Sequence, residues 1–178
     1  MIREFSVKSR SSNNIARALF IIFTSSSFAF IMLSSFINHY KGVVSLLGVM
    51  MFSVALILYT RYVAPIYYYD IFIDSEGHPL FIVRQQVGKK YSTLCRIGLN
   101  EIKKIDGESL KERREHKTDL GVRKYSYLPT IAPKKAYRIT TEGRYEKAEI
   151  LIECSDEFAG LLSEYSAEAR ELYITEEY

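Results

Sequence analysis

Cysteine and histidine are both scarce in this chain of 178 residues, which has two of the former and three of the latter. Cys95 and Cys154 fall on predicted inward-facing strand positions, so they read as small buried hydrophobes in a reducing compartment and not as a disulfide. His39, His78 and His116 fall in three separate predicted loops. The chain has no HExxH, no phosphate-cradling glycine loop, and no cysteine and histidine at metal-ligand spacing. These absences exclude the familiar metal and phosphate chemistries. The expectation is a protein that is not an enzyme, with no catalytic residue, no metal and no cofactor. A Pro-, Gly- or Ser-rich linker is also missing, so whatever parts the chain has are joined closely.

Ionisable side chains are absent from two long stretches, Leu19 to Ile37 and Gly42 to Thr60. A helix rises about 1.5 Å per residue and a bilayer core is roughly 30 Å thick, so about 20 such residues suffice to cross. From Leu19 to Ile37, 11 residues are Leu, Ile or Phe; each favours insertion by roughly 0.3 to 0.6 kcal/mol and together they outweigh Thr24 and the serines. A cleaved signal peptide fits poorly, because the first run is too long, ends without a small-residue cleavage site and is followed at once by the second. The prediction is a two-helix transmembrane hairpin over residues 16–64, preceded by a cytoplasmic segment, 1–15. Arg3, Lys8, Arg10 and Arg17 precede the first span, only Lys41 sits between the spans, and Arg61, Arg84, Lys89 and Lys90 follow. That asymmetry places both termini in the cytoplasm of a multi-pass cell-membrane protein. Thr24, Ser27 and Ser34, with Ser45, Gly48 and Ala55, give each span a small-residue face that lets the helices approach. No charge lies inside either span, which argues against a stand-alone transporter.

After Pro65 the apolar period changes from helical to two. Tyr69, Ile71, Ile73, then Phe81, Val83, then Tyr91, Thr93, Cys95, Ile97 alternate with polar residues, as half-buried antiparallel strands do. Turns are predicted at Ser75 to Pro79 and Gln86 to Lys89. A short strand over Asn100 to Ile105 and a charged loop or polar helix from Asp106 to Thr118 come next. Further strands are predicted near Arg123 to Leu128, Ala136 to Thr141 and Ala148 to Cys154. Ser155 is a good N-cap for a last helix, with Asp156 and Glu157 in its first turn and an apolar face of Phe158, Leu161, Leu162, Tyr165, Ala169 and Leu172. The whole is a membrane α-helical hairpin followed by a mostly β cytoplasmic domain, residues 66–178, of six or seven strands and a C-terminal α-helix.

With the segments FIVRQQVGKKYSTLCRIGLNEIKKI and AYRITTEGRYEKAEILIE in that order, the chain resembles the bacterial membrane-anchored proteins that carry a pleckstrin-homology-like (PH-like, bPH-type) domain. The resemblance implies a fold and a location, and a binding role by analogy. It assigns no residue a function.

Charge supplies the candidate surface. From Arg84 to Lys147 there are 17 Lys and Arg against 8 Asp and Glu, whereas from Ala148 onward 9 acids face only Arg170. Arg113, Arg114, Lys117, Arg123 and Lys124 are the candidate lipid- or partner-binding residues, since a basic surface near an anionic leaflet gains roughly 1 kcal/mol per cation. Part of this charge can instead face solvent or the acidic C-terminal helix. The expected role is a membrane-anchored binding or scaffold module at the inner leaflet, docking a protein partner or anionic lipid headgroups. The alternative is a small accessory or assembly subunit bound through its hairpin to a larger membrane complex. Nucleic acid is not expected as a partner.

Overall fold

A computed structural model describes residues 4–9, 14–37, 39–109, 112, 121–133, 135–143 and 147–176. The chain forms two compact units: Ser12–Pro65, and a second made of Met1–Ser11 together with Ile66–Tyr178.

The first unit is a helical hairpin. Helix α1 spans Asn14–Ser34 and α2 spans Lys41–Leu58, continued by a π-helical turn over Tyr59–Val63. Both are long and apolar enough to cross a membrane, and only 11% of the most apolar stretch of each is buried. A core helix of a water-soluble protein would bury most of that surface. Here Ile21, Ile22, Phe28, Met32, Met50 and Ile57 all lie exposed. The buried positions are instead small: Ala16, Ser27 and Ser34 on α1, Gly48 and Ala55 on α2. The Ser27 hydroxyl donates to the Gly48 carbonyl at 2.8 Å, and a Cβ at Gly48 would meet Ile31 Cγ1 at 2.9 Å and the Ser27 carbonyl oxygen at 3.2 Å. The small-residue faces predicted from spacing are therefore where the two helices meet. The hydroxyls of Thr24, Ser34, Ser53 and Thr60 donate to carbonyls three or four residues earlier, which satisfies them without water.

The second unit is β-rich. Strands β1 (Phe5–Lys8), β2 (Pro65–Ile73), β3 (Pro79–Val87) and β4 (Lys90–Gly98) form one sheet in that spatial order; β5 (Ile102–Ser109), β6 (Arg123–Ser126), β7 (Lys135–Glu142) and β8 (Lys147–Ile152) form another in the order β5-β7-β8-β6. Helix α3, Asp156–Glu176, follows. Ser155 caps it, accepting from the Phe158 amide at 3.2 Å. The β2–β3 and β3–β4 turns place Gly77 and Gly88 at φ of 86° and 62°, values that favour glycine. One core joins the layers: Tyr69, Ile71, Phe81 and Val83 from the first sheet, Ile102, Ile139, Ile150 and Ile152 from the second, Phe158 and Leu162 from α3.

Three features depart from the sequence reading. The described residues form eight strands, because Phe5–Lys8, read as a flanking segment, pairs antiparallel with β2 from Phe5↔Ile71 to Lys8↔Tyr68. Strand β5 runs on to Ser109, into the charged run read as loop or helix. Strand β6 pairs parallel with β8.

Candidate functional site

Strands β4 and β6 each end their sheet, so each has one ladder edge without a neighbouring strand among the described residues. Between these edges lies a groove of about 650 Å³ lined by Leu94, Cys95 and Ile97 of β4, Tyr125 and Tyr127 at β6, and Ala148 and Ile150 of β8, with Arg96, Glu101, Thr141 and Gly143 completing it. Its formation follows from register. In the parallel β6–β8 pair Arg123 lies opposite Ala148 and Tyr125 opposite Ile150, while Lys124 lies opposite Glu149. Paired residues share a face, so Arg123 and Tyr125 stand on the groove side and Lys124 on the other. On β4 the register jumps from Val83↔Cys95 to Arg84↔Thr93 and leaves Leu94 as an extra, bulged residue.

Tyr127 bridges the two edges, its hydroxyl donating to the Leu94 carbonyl at 3.3 Å. Its ring stacks on Tyr125, centroids 6.4 Å apart and planes at 4°. Burial pushes the Tyr127 hydroxyl up to about 12 and also raises the Cys95 thiol beside it. Both groups are neutral at physiological pH, so the groove wall is an apolar and aromatic surface with polar atoms at its rim. Arg96 is held by Asp74 at 2.6 Å.

Of the sequence-derived candidates, Arg123 and Lys124 are exposed on β6 beside this groove. Arg113, Arg114 and Lys117 lie outside the described residues, as does His116. The rest of the basic surface is largely matched by acids of the same domain: Lys104 with Asp106 at 2.9 Å, Lys147 with Glu142 at 2.7 Å, and Lys135 with Asp156 at 2.8 Å. The last pair ties the basic strands to the start of α3, the arrangement anticipated for part of the positive charge.

Among the described residues one cation is buried. Arg138 of β7, 3% exposed, meets Glu108 of β5 at 2.7 Å and Glu149 of β8 at 3.8 Å. All three stand on the face of the second sheet turned away from the core, and they act as a structural clamp across three strands. Among the described residues no three His, Cys, Asp or Glu side chains converge as a metal site requires. A smaller cleft of about 340 Å³, lined by His78, Pro79, Leu80, Asn100, Leu172 and Tyr173 among others, lies at the end of α3; the His78 ring lies 3.8 Å from exposed Glu76.

The groove residues Leu94, Tyr125, Tyr127 and Ile150 were not distinguishable by sequence from ordinary strand packing. The one signal was the pair of cations directly preceding Tyr125. Compared with protein-family models and with curated proteins, the chain matches none, so its function is read from its own residues.

Proposed function

We propose that this chain is an integral membrane protein whose hairpin holds a PH-like, non-enzymatic docking domain at the inner leaflet, and that the domain's partner is a protein. The observation that carries this is the pairing of β1 with β2. One strand precedes the first apolar helix and the other follows the second, which supports a hairpin whose two flanks lie on the same side of the bilayer. Removal of the first helix as a leader would also take β1 from its sheet. The exposed apolar surfaces of α1 and α2 support insertion in lipid. Two sheets around one core with a closing C-terminal helix support the PH-like assignment, and the positive-inside asymmetry supports a cytoplasmic domain.

A protein partner is favoured over a lipid surface because seven of the thirteen described Lys and Arg of the domain already face an acid within 4.0 Å, whereas β4 and β6 each have one edge without a neighbouring strand among the described residues. The accessory-subunit reading loses ground because the small residues best suited to a close helix partner are used within the hairpin itself. The test is alkaline carbonate extraction of native membranes together with labelling of a His39→Cys variant. The expected outcome is retention in the membrane and labelling of position 39 from outside only. Release into the supernatant, or labelling from the cytoplasmic side, would overturn the anchored arrangement.

A further inference from the structure

From the groove between β4 and β6 we infer that the partner is engaged through an extended segment alternating acidic and apolar residues, which adds as a strand to the β6 edge. This rests on reading the domain as a docking module and specifies the chemistry of what docks. An added strand would satisfy the main-chain groups of a sheet edge, and every second side chain would enter the groove. That interior is apolar, with Leu94, Ile97, Tyr125, Tyr127, Ala148 and Ile150, and takes branched aliphatic or aromatic side chains.

The remaining side chains of the segment would lie on the far face, alongside Lys124, while Arg123 stands at the end of the groove by Ala148. Strands β4 and β6 together carry Lys90, Arg96, Arg123 and Lys124 and no acid. Arg96 is matched by Asp74, and Glu101 lines the groove. On the far face Lys124 has Glu149 of β8 on one side, and on its other side, along the edge of β6, it favours an acid at alternate positions of the added strand. Strand β4 is the less suitable edge, because the bulge at Leu94 breaks its ladder and Tyr127 already occupies the Leu94 carbonyl. Strand β6 has four residues, so a segment of about five residues, at roughly 3.3 Å each, covers it.

Cys95 in the groove wall reports occupancy. The full-length protein in neutral phosphatidylcholine nanodiscs is treated with N-ethylmaleimide, and alkylation of Cys95 is followed by mass spectrometry, with and without a six-residue peptide alternating glutamate and valine. The expected result is alkylation slowed about tenfold at a peptide concentration about nine times its Kd, where roughly nine-tenths of the sites are occupied. The protection should fade with added salt and disappear in the Lys124→Glu variant, and also when alternate peptide amides are N-methylated. A lysine–valine peptide should give none. Equal protection by both peptides, no protection by either, or protection only by phosphatidylserine vesicles overturns the inference. A protein that resists alkaline extraction yet whose Cys95 ignores both peptides keeps its anchor and loses this docking mode.

Discussion

Three side chains carry unequal shares of the β-rich unit. The Tyr69 hydroxyl donates to the Tyr127 carbonyl at 2.8 Å and accepts from the Glu153 amide at 3.3 Å, joining β2 to the segments after β6 and β8. Tyr69→Phe leaves those buried backbone groups without this partner and is expected to cost about 1–3 kcal/mol, read as a lower melting temperature of the full-length protein. Arg138→Ala removes the cation from between Glu108 and Glu149 and is expected to cost about 3–5 kcal/mol in the same assay, since it strands buried carboxylates. Cys154 acts through pH. Burial raises its thiol from 9.0 to about 12, so between those values the unfolded chain releases a proton that the folded one keeps, and stability falls as pH rises. Cys154→Ala should flatten that alkaline loss without altering stability's pH dependence below pH 9. An unchanged slope would mean the thiol is not shielded. The sequence could nominate Cys154 as buried, because it sits in a period-two run. It could not nominate Arg138, whose acids come from strands on either side and are brought together only by register.

Most elements were legible from turn residues and periodicity, including β6 and β7 whose partners are distant, but β1 and the way β6 pairs were not. The hairpins at Gly77 and Gly88 announce themselves through turn residues between alternating runs, and Ser155 marks the start of α3. The apolar helices are set by length and lack of charge, and their mutual contact by the spacing of Ser27, Ser34, Gly48 and Ala55. Gly48→Val is expected to push α1 and α2 apart and lower the melting temperature in detergent, given the 2.9 Å approach of Ile31. Gly42→Val, where nothing lies within 4 Å, serves as the neutral comparison. Strand β1 was illegible because four residues, FSVK, carry almost no periodicity and their partner lies beyond both helices. The groove was illegible for a related reason: Tyr125 and Tyr127 alternate like any half-buried strand, and only the parallel pairing of β6 with β8 puts them at an edge.

At the scale of the molecule, β1 means that the β-rich unit is assembled from both ends of the hairpin. A chain lacking residues 4–9 should still resist alkaline extraction. It should melt earlier and aggregate more readily, because the edge of β2 is then unpaired. Unchanged melting and solubility would show that β1 contributes nothing to the sheet. The same pairing has a consequence for synthesis. Phe5 leaves the ribosome 66 residues ahead of Ile71, its partner, and both apolar helices emerge in between. In the proposed topology the first sheet closes only after the hairpin has been threaded with its two ends on one side, and a hairpin threaded otherwise would leave an open strand edge for quality-control proteases to find.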